Sequence, residues 1–307
     1  MKSLIAMSSV LALSLGLGAP AQAASDPSTR ADVLAMIQQE ATDFVIYRAY
    51  AQEAARAGLA DVSRLAREVS RSEFDDHVVP GAYLIGLVQG NAANLRTSLD
   101  AATAEATRIY PGYAEQAIRD GCPEAAAHFT ELARDEARHA ARFSRALAAV
   151  RYPHSGIGIP VGKPAPQKPF SRSEPRCGGQ TLSNLWATVR GEALAYAHYT
   201  LYARHAERVG QPRLAQLWRN TASQELGEHL AETAVLVGMV AETAVNLGRA
   251  YPWEHREATE VYPVYAERAQ QAGAKRAEEL FRNVIRDELA HSAAFRQALD
   301  DLPPPKA

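Results

Sequence analysis

Residue n and residue n+152 of this chain carry the same side chain again and again, with no insertion to break the register. Glu40 repeats as Glu192, Tyr47 as Tyr199, Tyr50 as Tyr202, Gly58 as Gly210, Glu73 as Glu225 and His77 as His229. Asn94-Leu95 returns as Asn246-Leu247, Glu105-Ala106-Thr107 as Glu257-Ala258-Thr259, Tyr110-Pro111 as Tyr262-Pro263, and Gly121 as Gly273. Asp135-Glu136, His139 and Phe143 return as Asp287-Glu288, His291 and Phe295. Chance does not hold one offset across so many residue types. The chain is a tandem duplication, and its fold must be built from two copies of one unit.

The two copies meet in residues 151–180, which hold Gly156, Gly158, Pro160, Gly162, Pro164, Pro166 and Pro169. Such a stretch is neither helix nor central strand. As a Pro-rich linker it gains about 3 Å per residue, enough to cross the length of a helical bundle. Each copy, 30–150 and 181–300, shows apolar residues at spacings of three and four, so the fold class is all-α with two four-helix units. Helices are expected over about 30–57, 60–88, 93–120 and 123–149, and again over 181–209, 211–240, 246–272 and 275–300. Gly210 and Gly273 stand where C-terminal caps belong. Pro111 and Pro263 fall inside the third helices, where they should kink the backbone.

Composition excludes several functions. The formal net charge of -2 offers nothing to nucleic acid or to an anionic membrane. The apolar run Leu4–Leu17 follows Lys2 and precedes Ala21-Gln22-Ala23, the pattern of a secretory signal over residues 1–23. It is shorter than a span requires, and no later segment is apolar enough to be one. A periplasmic or secreted location is therefore expected. The two cysteines, Cys122 and Cys177, could form a disulfide in such a compartment or remain free thiols.

The chemistry lies in acidic residues near the helix middles. In the second copy these are Glu192 on the first helix, Glu225 and Glu228 on the second, Glu254 and Glu257 on the third, and Glu288 with His291 on the fourth. In the first copy they are Glu40, Glu73 with Asp76 or His77, Glu105, and Glu136 with His139. A bundle would bring these groups together in its core. Buried carboxylates without counter-charge cost several kcal/mol each. Two divalent metals remove that cost, and a Glu from each of two helices plus Glu-x-x-His from the others is a di-iron ligand pattern. Oxygen-rich donors with an imidazole or two suit Fe or Mn.

The second copy resembles rubrerythrin, through Gly191-Glu192 with Tyr199-Thr200 and Tyr202-Ala203, Thr221-Ala222 before Glu225, Asn246-Leu247, Glu254-His255-Arg256-Glu257, Tyr262-Pro263, and Phe281 leading into Glu288–His291. The resemblance implies a ferritin-like bundle holding two Fe per site. It implies that Glu192 and Glu254 are terminal ligands, Glu225 and Glu288 bridging ligands, His291 an imidazole ligand, and Glu257 a carboxylate that exchanges with a His as iron changes valence. It also implies supporting roles in catalysis for Tyr199 and Tyr262. Two departures matter. Where the family has His three residues after the second-helix Glu, this chain has Glu228 or Asp76, with His229 and His77 one place later. Either the acid replaces the imidazole or the later His reaches in. And Ala102 stands where the first copy should have the partner of Glu254, so Glu105 must swing in or that metal is weak or missing. The family's iron–sulfur module needs four cysteines and is lacking, so electrons must come from an external donor.

A length argument bears on topology. From Glu228 to Glu254 there are 26 steps, too few for two half-helices and a full-length return between them. The copies are therefore expected to exchange helix pairs, helices one and two of each packing on three and four of the other; the alternative is two self-contained bundles with shorter helices. One site would join Glu40, Glu73 and His77 or Asp76 to Glu254, Glu257, Glu288 and His291. The other would join Glu192, Glu225 and Glu228 to Glu105, Glu136 and His139. The expected function is an exported oxidoreductase acting on hydrogen peroxide or dioxygen, as a monomeric pseudo-dimer or a homodimer. The rivals are an envelope iron-binding or ferroxidase protein and a helical scaffold with a decayed metal site.

Overall fold

The computed structural model describes residues 26–303; the leader-type segment read at 1–23 lies outside them. Eight helices follow in order: α1 (Pro27–Arg56), α2 (60–84), α3 (91–119), α4 (Pro123–Arg151), α5 (Gly179–Arg208), α6 (212–237), α7 (243–271) and α8 (Lys275–Asp300). The described residues hold no β-strand, only a single bridge between Arg172 and Val240. Helix α1 starts where the Asp26 carboxylate accepts the Thr29 amide at 2.8 Å and Pro27 follows, a cap that satisfies an otherwise orphan donor. Gly210 and Gly273 close their helices at φ 74° and 69°, as their spacing required.

Helices α2, α3, α6 and α7 each contain one π-helical turn, at Glu73–Val78, Glu105–Ile109, Glu225–His229 and Glu257–Val261. Each closes with an amide reaching back five residues: Val79 to Phe74, Tyr110 to Glu105, Leu230 to Glu225 and Tyr262 to Glu257. Prolines follow three of the four turns, as Pro80, Pro111 and Pro263. A proline has no N–H to return to the previous turn. Inserting one extra residue into that turn accommodates the missing bond. The disruption expected at Pro111 and Pro263 thus takes the form of π turns.

The helix pairs are exchanged. Helices α1 and α2 pack on α7 and α8, while α5 and α6 pack on α3 and α4. The connections 85–90 and 238–242 are short because neither has to return along a bundle. The central bundle, α3 to α6, is one continuous stretch of chain. The terminal bundle is assembled from the first and last helix pairs. The two are joined along α1 and α5, where Val33, Ile37 and Val45 share one apolar core with Leu185, Val189 and Leu201.

Residues 152–178 form a strap that runs the length of α6. Arg213 and Asn220 donate to the Ile159 and Val161 carbonyls. Further along, the Lys168 amide reaches Gly227 O at 3.0 Å and the Arg176 amide reaches Leu236 O at 2.9 Å. Gly227 admits this close pass, since a Cβ there would lie 2.3 Å from Gln167 Nε2. The strap also touches the terminal bundle, where Arg172 pairs with the buried Glu53 and Arg56 donates to Phe170 O. A disulfide between Cys177 and Cys122 ties its end to the start of α4. Of the two thiol states left open by the sequence, the structure has the disulfide.

Candidate metal centres

The terminal site gathers Glu40 from α1, Glu73 and His77 from α2, Glu254 and Glu257 from α7, and Glu288 from α8, all buried, with the nearly buried His291 from α8. His77 Nδ1 lies 3.1 Å from Glu40, 2.9 Å from Glu73 and 3.2 Å from Glu288. His291 Nδ1 lies 3.1 Å from Glu73, 3.3 Å from Glu254 and 3.3 Å from Glu288. Two four-donor sets result, Glu40-Glu73-His77-Glu288 and Glu73-Glu254-Glu288-His291, each with ligand atoms within 4.8 Å of one another. Glu73 and Glu288 belong to both.

The central site repeats half of this plan. Glu136, Glu192, Glu225 and His229 form one four-donor set, with His229 Nδ1 2.7 Å from Glu225 and 3.5 Å from Glu192. His139 Nδ1 lies 3.0 Å from Glu136 and 3.3 Å from Glu225, but no terminal carboxylate completes its side. Position 102 is a fully buried alanine. Glu105 is half-buried at the site's edge and joins no four-donor set.

Some donors pair, His77 with Glu40, His139 with Glu136 and His291 with Glu288, but much of the donor set does not. Both oxygens of Glu73 and of Glu225, Glu254 Oε2, Glu288 Oε1 and Glu136 Oε2 are buried without a hydrogen-bond partner. His229 Nδ1 is also unpartnered although Glu225 is 2.7 Å away. Groups this close and yet misaligned fit a shared cation between them, since buried polar atoms are otherwise almost always paired. The residues present therefore fit a two-ion centre in the terminal site and a one-ion set in the central site.

The electrostatics of the metal-free protein carry the same signal. Burial pushes Glu73 up to about 7 against the pull of His291. Glu136 and Glu225 are pushed up to about 8, and Glu105 to about 9, by burial first and then by neighbouring carboxylates. Burial, Glu73 and Glu40 hold Glu288 well above its ordinary value. His291 rises to about 10 despite burial because Glu73 and Glu254 face it. His139 moves the other way, lowered by burial with fewer acids to oppose it.

Around these donors stands a ring of orienting groups. Tyr262 donates to Glu40, Tyr47 to Glu254 and Tyr110 to Glu192. Asp287 lies 3.4 Å from His77 Nε2 and Asp135 lies 3.7 Å from His229 Nε2. A carboxylate behind a ligating imidazole fixes its tautomer and orientation. A pocket of about 250 Å³ opens against the terminal site, lined by Asp43, Tyr47, Tyr50, Trp186, Trp253 and Arg249 among others.

Three sequence readings change. Glu228 is half-buried and outside every donor set, and Asp76 is exposed; His229 and His77 take the places inside. The π turns explain this, since an extra residue per turn brings position +4 rather than +3 under the preceding Glu. Tyr199 touches no carboxylate; it stacks on Trp218 and packs against Phe143, because its acceptor position is Ala102. Tyr47, Tyr110, Asp135 and Asp287 were missed as orienting groups. The repeat pairs the tyrosines with Tyr199 and Tyr262 and was the signal that could have found them.

Fold and sites together define a helical-bundle protein with paired carboxylate–histidine centres. The rubrerythrin family model matches residues 94–158 and 226–299. The rubrerythrin of Porphyromonas gingivalis is 31% identical over 130 residues, 38% of this chain and 65% of the relative. Nigerythrin of Nitratidesulfovibrio vulgaris is 30% identical over 140 residues, 41% of this chain and 69% of the relative. Reverse rubrerythrin-1 of Clostridium acetobutylicum is 30% identical over 123 residues, covering 39% and 67%. The chain thus spans about two thirds of the length of these relatives. No solved structure matches. The chain belongs to the rubrerythrin family.

Proposed function

We propose that this chain is an exported di-iron oxidoreductase that reduces hydrogen peroxide at its terminal site. The observation that carries this reading is the overlap of two donor sets: Glu73 and Glu288 belong to both, and each set is completed by its own Glu and its own His, so the six groups would hold two ions sharing two carboxylates. Two iron ions held there would supply the two electrons that peroxide reduction consumes. Glu40 and Glu254 are fixed for ligation by the hydroxyls of Tyr262 and Tyr47. Glu257, buried and raised well above its ordinary value by burial and by Asp43 and Glu40, stands ready to move toward a more highly charged ion. The pocket beside Tyr47 gives a molecule as small as peroxide a way in. Asp43, also buried and held well above its ordinary value by burial and by Glu254, lines that pocket. Both cysteines are in the disulfide, so electrons come from a separate donor. The disulfide, with the leader-type residues at the start of the sequence, supports a compartment outside the reducing cytosol. Among the described residues no helix is long and apolar enough to cross a membrane, and we take the chain to work as a monomeric pseudo-dimer or a homodimer.

The test is to load the protein with iron, reduce it without oxygen, and mix it with peroxide. One equivalent should oxidise the two ferrous ions of each terminal site. Iron that stays ferrous, or that is oxidised by dioxygen alone with peroxide inert, sinks the proposal.

A further inference from the structure

The two sites differ in a way that duplication alone would not produce. In the terminal site four carboxylates, Glu40, Glu73, Glu254 and Glu288, line two ion positions. In the central site three carboxylates, Glu136, Glu192 and Glu225, line one four-donor set. The missing fourth is Ala102, which is fully buried. The tyrosine that should hold that carboxylate, Tyr199, has been absorbed into an aromatic stack with Trp218. The loss is therefore built into the surrounding core.

A second difference lies one turn beyond His139. There the central site has Arg142, where the terminal site has Ala294. Arg142 is half-buried; burial and the neighbouring Arg138 pull its guanidinium below its ordinary value, and Glu225 and Glu136 oppose them without pairing to it. The strap holds it down. A Cβ on Gly162 would sit 2.7 Å from Arg142 Nη1, so the strap passes over the guanidinium at a glycine. Behind the imidazole, Gln224 Oε1 lies 3.0 Å from His139 Nε2, where the terminal site has Ser72.

Charge balance ties these differences together. The four carboxylates of the two donor sets are neutralised by two divalent ions, the fifth buried acid, Glu257, being held well above its ordinary value outside those sets. Three are neutralised by one divalent ion and one guanidinium. Buried charge that is not balanced costs several kcal/mol, so each set of substitutions makes sense only with its own number of ions. We infer that the central site is a one-ion site, held by Glu136, Glu192, Glu225 and His229, in which the Arg142 guanidinium takes the place of the second cation. The inference rests on the metal reading above and refines it, assigning three ions per chain rather than four. With no second ion beside it to share a two-electron change, the central ion is assigned a structural role, locking α3 and α4 to α5 and α6.

The experiment titrates the full-length metal-free protein with Co(II), and separately with ferrous iron under argon, and counts bound metal by mass spectrometry after desalting. Three ions per chain are expected. His229→Ala should bring the count to two, and Glu73→Ala to one. Ala102→Glu, which restores the fourth carboxylate opposite Tyr199, should raise it to four. Should that variant not fold, Arg142→Ala serves instead, and it should bind a fourth ion at least about tenfold more tightly than the wild type does. A wild-type count of four that Glu73→Ala still lowers by two overturns the one-ion inference alone. So does a count of two that His229→Ala leaves untouched. A count of zero, or one indifferent to Glu73→Ala, overturns the underlying metal reading as well.

Discussion

The terminal and central sites began as copies of one design, and they now differ chiefly at two positions of the repeat. At one, Glu254 stands against Ala102; at the other, Ala294 stands against Arg142. The consequence shows in the imidazoles. His291 faces Glu73 and Glu254 and rises to about 10, while His139, with an alanine where that second acid would be, is lowered by burial. The residues that line the pocket beside the terminal site are not repeated either: Asp43, Trp186, Arg249 and Trp253 correspond to Ala195, Leu34, Thr97 and Ala101. Of the two sites the terminal one has the fuller donor set.

The largest test of that contrast removes the corresponding Glu of the π turn from each site. Glu73→Ala should lower the rate of peroxide-driven iron oxidation at least about 100-fold, whereas Glu225→Ala should change it less than about twofold while weakening the fold. Stopped-flow absorbance and thermal melts read the two effects, and equal loss of rate in both variants would break the comparison.

Removing metal should expose the electrostatic cost of both sites. Glu73, Glu136, Glu225 and Glu105, at about 7, 8, 8 and 9, hold protons in the folded metal-free protein that the unfolded chain releases near pH 4.5. A folded state that binds more protons loses stability as pH rises. His291, raised to about 10, contributes stability that is likewise lost as pH climbs above its unfolded value toward that figure. The metal-free protein should therefore melt at least about 5 °C lower at pH 9 than at pH 5.5. Added Co(II) should reverse the trend, since ions favour the deprotonated ligands. A metal-free melting temperature that rises with pH contradicts the burial described here.

Finer cuts separate the orienting tyrosines. Tyr47→Phe removes the hydroxyl that donates to Glu254 and should weaken one terminal ion by about tenfold. Tyr199→Phe, at the equivalent place, should leave metal affinity unchanged. Competition with a chromophoric chelator measures both. The smallest expected effect is in the strap. Gly238 adopts φ 65°, and a Cβ there would lie 2.6 Å from Pro175 N. Gly86, its repeat partner at φ 62°, has open space around it. Gly238→Ala should cost about 1–3 kcal/mol more than Gly86→Ala in a urea melt.

Much of this was legible in the amino-acid order. The fixed offset exposed the duplication, and the short span between Glu228 and Glu254 implied the exchanged helices. What stayed hidden was set by backbone geometry and by partners distant in the chain. Whether Glu228 or His229 faces inward depends on one residue of helical phase, and only the π turn at Glu225–His229 decides it. Tyr47 is an ordinary core aromatic until Glu254 arrives from the far end of the chain. The course of residues 152–178 was open because a Pro-rich segment records its reach but not its track; Gly227 and Gly238 mark that track only after the fact.

The exchange also sets an order of assembly. Residues 91–237 carry every helix of one bundle in unbroken succession, so that bundle can close without α7 and α8. The other must keep α1 and α2 waiting, with their acidic faces uncovered, until the last helix emerges. Its contacts are the most distant in sequence, and closing them is the slowest step that chain topology predicts. A chain of this design gathers its central donors first and completes its terminal donor set only with its last helix.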